Sequence, residues 1–229
     1  MICVDLDMLA ENAHDALKKI NPIDLAFYFA SGKSEGLMRD FFSANLHKEL
    51  SLVGSEHVTR EWRRHDLAIL RDDQPIALIE GKSWIYHDAY RQKMLLGEKK
   101  SIFRGAFEDI KKLAVARNSF NSPDIFVSTI LYGVDVSTNA EDSKMSVTYF
   151  DSHEKGIASA GSFAELNAVA RENMNKLHNA LGATRHFSIN AGKYHGMQVE
   201  ADFWISQIEV SILYEIRESV SRTVFQFKS

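Results

Sequence analysis

Two short apolar segments joined by turn-forming residues constrain the fold of this chain more than any other feature. The segments read Asp-Leu-Ala-Ile-Leu at 66–70 and Ile-Ala-Leu-Ile-Glu at 76–80, and polar residues at 71–74 separate them. Segments of this length that are apolar on both faces are typical of central strands covered on both sides. The sequence therefore predicts a β-hairpin, formed by His65–Leu70 and Pro75–Lys82, within a sheet that has helices on both faces.

Three charged residues lie at the open end of this predicted hairpin. If the turn is centred on Asp73, antiparallel pairing sets Asp66 opposite Glu80. Because side chains alternate along a strand, Glu80 and Lys82 share a face. Asp66, Glu80 and Lys82 are thus expected to converge at one end of the sheet, in a register that a bulge would shift.

Two neighbouring carboxylates in an apolar sheet repel each other and are poorly hydrated. A divalent cation removes this conflict, and one or two carboxylates with several waters are the usual ligands of Mg²⁺. Lys82 would add a positive charge that positions a water molecule or stabilises charge on phosphorus. The alternative interpretation is a surface hairpin with an ordinary cross-strand salt bridge.

The same residues resemble the motif of the PD-(D/E)XK nuclease superfamily. The resemblance covers about residues 35–134 and is carried by Asp66 and by Glu80-Gly81-Lys82, which apolar residues precede. It implies a restriction-endonuclease-like α/β fold, with a mixed central β-sheet flanked by helices. It also implies a nuclease that hydrolyses DNA phosphodiester bonds with a metal-activated water. His65 stands where the family motif has a proline.

The resemblance further implies roles for individual residues. Asp66 and Glu80 would bind Mg²⁺, for which Mn²⁺ is expected to substitute, and Lys82 would help to activate the attacking water. Many members carry a glutamate on the helix before the hairpin, a role that falls here to Glu35. Glu49 is the competing candidate for this helix-borne acid.

Glu35 lies on the same predicted helix face as Met38, Phe42 and Leu46, since steps of three and four residues keep one face. An acid in line with a core stripe is unexpected unless it faces a polar site. The simpler interpretation is that Glu35 occupies the first helical turn, where the helix dipole favours an acid.

Basic residues near the hairpin are candidates for nucleic-acid contacts. Arg63 and Arg64, in a basic segment at 60–64, would grip phosphates beside the metal. The alternative is a solvated edge strand. Lys93 lies on a predicted helix rich in lysine and arginine at 88–117, for which a solvated face is the alternative.

Charge and cysteine content restrict the classes of function. The chain has 27 basic and 31 acidic residues, for a net charge of −4, which argues against a protein that coats nucleic acid non-specifically. A homodimer with a basic cleft fits this charge, and cleavage of both DNA strands would need two sites. RNA is left open as a substrate.

The single Cys3 excludes an internal disulfide and favours a reducing, cytoplasmic location. The sequence shows neither a membrane-spanning stretch nor a zinc-enzyme or Walker motif.

The chain is predicted to form one nuclease-like domain over 1–229. Within it we expect a helical N-terminal extension at 1–30, a catalytic core at 35–134, and additional strands and a helix at 140–229. Helices are predicted at 7–20, 23–29, 35–50 and 88–117, and after a capping box that begins at Ser162. Strands are predicted at 124–134, 145–150, 187–190 and 198–208, and the tail at 212–227 is left open as strand or helix.

Two rival functions are compatible with this pattern. The first is a non-catalytic nucleic-acid-binding or protein-interaction module that kept the nuclease-like fold. The second is an unrelated α/β protein that binds a small molecule or a protein partner. A separation of more than about 8 Å between Asp66 and Glu80 would favour the second, because metal–oxygen distances are about 2.0–2.6 Å.

Overall fold

Helices and strands alternate along the chain in a computed structural model that describes residues 4–32, 34–51, 56–91, 104–120, 123–138, 144–209 and 211–212. The helices are α1 (Leu6–Lys18), α2 (Pro22–Ser31), α3 (Ser34–Ser51), α4 (Tyr86–Tyr90), α5 (Arg104–Ser119), α6 (Phe150–Ala160) and α7 (Phe163–Leu181). The strands are β1 (Glu56–Trp62), β2 (His65–Arg71), β3 (Gln74–Ile85), β4 (Asp124–Val134), β5 (Thr184–Tyr194) and β6 (Met197–Gln207). A single 3₁₀ turn, Val136–Thr138, follows β4.

The strands of the described residues form one six-stranded sheet in the order β1-β2-β3-β4-β6-β5. β3 and β4 run parallel, whereas the other neighbouring strands are antiparallel. The helix α5 lies between β3 and β4 in the chain, as a parallel connection requires. The predicted α/β architecture with a mixed, helix-flanked sheet is confirmed.

Both faces of the β2–β3 hairpin are buried, as the two-sided apolar pattern predicts. Leu67 and Ile79 pack in the apolar cluster that includes side chains of α1, α2 and α3. Ala68 and Leu78 pack in a second cluster with Leu113 of α5. The hairpin is therefore a central element, and its polar end lies between α3 and α5.

The register of the hairpin agrees with the prediction at its acidic end. Leu67 pairs with Ile79 and Ala68 with Leu78, which extends to Asp66 opposite Glu80. A register shift occurs between Ile69 and Leu70, close to the turn. Because the irregularity lies toward the turn, it leaves the register at the open end unchanged.

Local signals explain several helix boundaries. Asn21 caps α2 by accepting a hydrogen bond from the Ile23 N–H, and Pro22 occupies the first turn. Ser162 caps α7 by accepting a hydrogen bond from the Glu165 N–H at 3.1 Å, which confirms the predicted helix start at this residue. Gly182 follows the last residue of α7, as predicted.

The strand predicted at 145–150 is wrong. Residues 144–149 form turns and a bend, and Phe150 begins α6. The buried positions of α6 are Phe150, His153 and Gly156, so only one of the three is a large apolar residue. A helix whose buried face is this polar and small produces no apolar stripe in the sequence.

Some predictions fall wholly or partly outside the described residues. These include Cys3, Lys93 and most of the tail at 213–229. The predicted helix at 88–117 is described only as α4 and α5, with residues 92–103 outside the described ranges. In the part of the chain that is described, no helix combines the length and the apolar character needed to cross a membrane.

Candidate active site

The candidate site lies where β2 and β3 separate at the open end of their hairpin. Beyond the Leu67–Ile79 pair, the Asp66 side chain contacts the backbone of β3. Its Oδ2 accepts a hydrogen bond from the Gly81 N–H at 2.8 Å. This contact fixes one carboxylate oxygen of Asp66 beside the Glu80-Gly81-Lys82 segment.

Glu80 is buried and pairs with the residue that precedes Asp66. The His65 Nδ1 lies 3.0 Å from the Glu80 Oε1, and both side chains are more than nine-tenths buried. Burial raises the pKa of Glu80, the hydrogen bond from His65 opposes this rise, and the Asp66 carboxylate raises the pKa further by its charge and by a side-chain hydrogen bond. Asp66 and Glu80 are therefore close enough to interact directly, as the predicted register requires.

Lys82 contacts an acid that the sequence analysis did not single out. Its Nζ lies 2.5 Å from the Oδ2 of Asp109 on α5. Burial opposes the charge of Lys82, but the contact with Asp109 and the charges of Glu35 and Asp66 prevail and raise its pKa. Lys82 is thus protonated at neutral pH.

Glu35 reaches the site from the first turn of α3, as the resemblance implies. Burial raises its pKa, the Lys82 charge lowers it, and the Asp66 charge raises it. A backbone hydrogen bond from Ser83 also stabilises the carboxylate of Glu35. Glu49 lies 14 residues further along the same helix, which is about 21 Å at 1.5 Å per residue, so Glu35 is the acid of α3 that meets Asp66 and Lys82.

A second residue of α3, Arg39, contributes a positive charge to the site. Arg39 lies one turn after Glu35, and its Nη1 is 3.5 Å from the Asp66 Oδ1 and 3.2 Å from the Glu61 Oε1. The guanidinium therefore bridges Asp66 and the edge strand β1. It partly neutralises Asp66 in this arrangement.

A cavity of about 30 Å³ opens between α3 and the hairpin end. Its polar lining consists of Glu35, Arg39, Asp66, Lys82 and Ser128. A space of this size holds a water molecule or a single ion. Glu80 does not line this cavity and contacts His65, whereas Asp66 both lines the cavity and interacts with Glu80.

The site contains carboxylates, the ligand type that a hard divalent cation prefers. Asp66 and Asp109 act electrostatically on Glu35 and also on Glu80. Arg39, Lys82 and Lys112 supply three positive charges against the four acids Glu35, Asp66, Glu80 and Asp109, so the acids are in excess by one, and burial raises the pKa of Glu35 and Glu80. No group of three or more His, Cys, Asp or Glu side chains that could hold a metal ion occurs among the described residues. A Mg²⁺ site built from one or two carboxylates and several waters does not need such a group.

The predicted nucleic-acid contacts are placed unequally. Arg63 and Arg64 form the turn between β1 and β2, and both are exposed. Lys93 lies outside the described residues. Arg60 belongs to the edge strand β1 and pairs with Asp40 at 2.5 Å, so the edge-strand alternative describes this residue.

Sequence reasoning missed three residues of the site: Arg39, His65 and Asp109. The sequence pattern does indicate Asp109, because it is in helical register with Leu113 and Ala116 on the buried face of α5. The same signal singled out Glu35. The surrounding lysines directed the interpretation of α5 toward a basic surface and away from its one buried acid.

Comparisons of the chain with protein-family models, with curated proteins and with solved structures find no match. The function is therefore inferred from the residues of the site and their geometry.

Proposed function

We propose that this protein is a divalent-cation-dependent nuclease of the PD-(D/E)XK type, with a restriction-endonuclease-like fold, that hydrolyses phosphodiester bonds of DNA. The observation that carries the proposal is the meeting of Asp66, Glu80 and Lys82 at the separated end of a central hairpin. Glu35 joins them from α3, the helix that precedes the hairpin.

The order of elements supports the same proposal. α3, the β2–β3 hairpin, α5 and β4 follow one another as the resemblance implies. β4 runs parallel to β3, so α5 returns the chain across one face of the sheet. This arrangement brings α3 and α5 to opposite sides of the hairpin end, where each contributes one acid.

Asp66 and Glu80 are the residues that would hold Mg²⁺ or Mn²⁺. When bound, such a cation lowers the pKa of a water ligand and stabilises charge on a phosphoryl oxygen. His65 holds the Glu80 carboxylate in one orientation, and the Gly81 N–H does the same for Asp66. Glu35 supports the site from α3, where its carboxylate faces Lys82.

Lys82 acts as a positive charge and a hydrogen-bond donor. Because the pKa of Lys82 is raised, the ammonium group orients a water or stabilises charge on phosphate, and it does not remove a proton at neutral pH. Lys112 also contacts Asp109, so this acid holds two lysines.

DNA is the proposed substrate, and RNA is the second candidate. Arg63 and Arg64, three and two residues before Asp66, are the proposed phosphate contacts beside the site. Cleavage of both strands of a duplex would require two sites, for which a homodimer is the proposed assembly.

One observation favours the non-catalytic alternative. In this structure Lys82 pairs with Asp109 and Arg39 pairs with Asp66, so the charges of the motif already have partners within the chain. A nucleic-acid-binding module that kept the fold would show the same pairs.

A cleavage assay separates the two functions. Wild-type protein, Lys82→Ala and Glu80→Ala are incubated with supercoiled plasmid in Mg²⁺ and in Mn²⁺. We expect wild type to nick or linearise the plasmid, and each variant to lose at least about 100-fold in rate, as removal of a transition-state contact does. Glu108→Gln, which alters an exposed pair with Lys111 on the same helix, is the matched control and should keep its activity. Equal results for wild type and both site variants would contradict the enzyme proposal.

A further inference from the structure

The turn between β1 and β2 is built from residues that do not suit its backbone. Trp62 pairs with His65, so Arg63 and Arg64 alone form the loop, and their φ angles are 48° and 75°. Two-residue hairpin turns with positive φ at both positions favour Asn-Gly or Asp-Gly, because side chains on other residues are strained there. Turn stability therefore does not explain why two arginines occupy this position.

The Arg63 guanidinium is braced by aromatic rings. Its Cζ lies 5.0 Å from the centre of the Trp62 ring and 5.1 Å from that of Phe120. Both rings pack against the apolar cluster beneath α5. The orientation of this cation is thus fixed in advance of any binding event, which lowers the entropy lost when a ligand is bound.

Among the described residues, neither Arg63 nor Arg64 forms a salt bridge with a carboxylate. By contrast, Arg60 on the same hairpin pairs with Asp40, and Arg71 at the other end of β2 pairs with Glu56. Arg63 and Arg64, which we call the tip of the β1–β2 hairpin, are therefore exposed cations, whereas the charges of Arg60 and Arg71 are neutralised by carboxylates.

The tip also lies next to the candidate active site. Arg64 is two residues from Asp66, which is about 7 Å along a strand. Planar guanidinium groups bind phosphate oxygens in a bidentate manner, and they do so best when their geometry is fixed.

We propose that Arg63 and Arg64 form a phosphate clamp that holds the nucleic-acid backbone beside Asp66, and that the strained turn is retained for this binding. The inference rests on the proposed function, because that function identifies nucleic acid as the ligand. It adds that the tip binds at a cost to the stability of the fold.

The chain contains a second turn that serves as a matched control for the proposed exchange of fold stability for DNA binding. Asp72 and Asp73 form the turn between β2 and β3, which also has two residues with positive φ, 49° and 60°. This second turn is equally exposed but carries the opposite charge. A glycine at the second position of either turn relieves the same kind of backbone strain.

The test compares Arg64→Gly, Asp73→Gly and the double variant Arg63→Gln/Arg64→Gly with wild type. Lys155→Gln, an exposed lysine of α6, controls for the loss of one positive charge. The melting temperature of each is measured, together with its affinity for a fluorescent DNA duplex without divalent cations at several salt concentrations. Glu80→Ala, alone and combined with Arg64→Gly, is included so that the effect of Arg64 on binding is also measured in a protein from which a proposed metal ligand has been removed.

We expect Arg64→Gly and Asp73→Gly both to raise the melting temperature, by about 2–4 °C. Only the tip variants should lose affinity, about 3–10-fold for Arg64→Gly and more for the double variant. The salt dependence should become shallower by about 0.9 in log–log slope for each phosphate contact that is lost.

Several results would overturn the clamp. They are unchanged DNA affinity in Arg64→Gly, an equal loss in Lys155→Gln, a lower melting temperature in Arg64→Gly, and the absence of DNA binding by wild type. Binding of wild type and Arg64→Gly to anionic vesicles and to an acidic peptide is measured in parallel. If Arg64→Gly loses one of these while its DNA affinity is unchanged, the tip binds that other ligand and not DNA. If wild type cleaves nothing while the tip still controls DNA affinity in Glu80→Ala, the clamp stands and the nuclease proposal fails.

Discussion

Lys82 Nζ lies 2.5 Å from Asp109 Oδ2, and this contact joins the strand that carries the motif to helix α5. The pair keeps Lys82 charged although it is half-buried. It also holds the ammonium group at the edge of the cavity that Glu35 and Asp66 line. The charge and the position of the Lys82 ammonium group therefore depend on Asp109, a residue far from the motif in sequence.

Asp109→Asn should lower the pKa of Lys82, because burial then acts without its strongest opposing contact. Activity that needs charged Lys82 is lost as pH rises through this pKa, so the alkaline limb of the pH–rate profile should move to lower pH. The profile of Glu108→Gln should match wild type. An unchanged alkaline limb in Asp109→Asn would show that Asp109 does not control Lys82.

His65→Ala should weaken cation binding through Glu80. The variant removes the hydrogen bond that opposes the raised pKa of Glu80, so the carboxylate becomes a poorer ligand. We expect about a 10–100-fold loss of Mn²⁺ affinity by calorimetry, as for other residues that orient metal ligands. His65→Asn should restore part of the loss, and the exposed His47→Ala should bind as wild type. Equal affinity in His65→Ala and wild type would contradict the role of His65.

Glu35→Gln should reduce plasmid cleavage about 10–100-fold without loss of folding, since the amide keeps the shape of the side chain but not its charge. Glu49→Gln should remain within about two-fold of wild type, because the two acids are about 21 Å apart on α3. Circular dichroism of both variants checks the fold. The reverse order of effects would assign the helix-borne acid to Glu49.

The buried His153 should make the fold sensitive to acid. Its ring nitrogens have no hydrogen-bond partner among the described residues, and burial, assisted by the charge of His87, lowers its pKa to about 4. The unfolded chain binds this proton near pH 6.5, so stability is complete above that pH and falls as pH drops toward 4. At pH 5 the loss from this one group is about 2 kcal/mol.

Urea unfolding at pH 7 and pH 5 checks this prediction. His153→Leu should remove its share of the acid-induced loss, whereas the exposed His47→Gln should keep it. His178, with its pKa lowered to about 3 by burial, adds a similar contribution that remains in both variants. An identical pH dependence in wild type and His153→Leu would show that the ring is not held neutral.

The hairpin and its acidic end could be predicted because local pattern determines both. Alternation sets which side chains share a face, and a turn centred near Asp73 sets the pairing of Leu67 with Ile79. The helical spacing of Glu35 was likewise visible in the sequence. These features depend on residues that are close together along the chain.

The partners of the motif could not be predicted in the same way. Asp109 meets Lys82 only because α5 folds back across β3, and Arg39 meets Asp66 only because α3 packs on the other face. His65 stands at the position of the motif proline, and the sequence pattern did not indicate the contact between its ring and the Glu80 carboxylate. The helix α6 was missed because His153 and Gly156, two of its buried residues, carry no apolar signal.

Crystals soaked in Mn²⁺ and measured for anomalous scattering test most directly whether the carboxylate cluster holds a divalent cation. We expect one peak within about 2.6 Å of oxygens from both Asp66 and Glu80, and no peak there in Glu80→Ala crystals soaked in the same way. A wild-type site without a peak at saturating Mn²⁺, or a peak bound only by other residues, would show that Asp66 and Glu80 do not form a metal site.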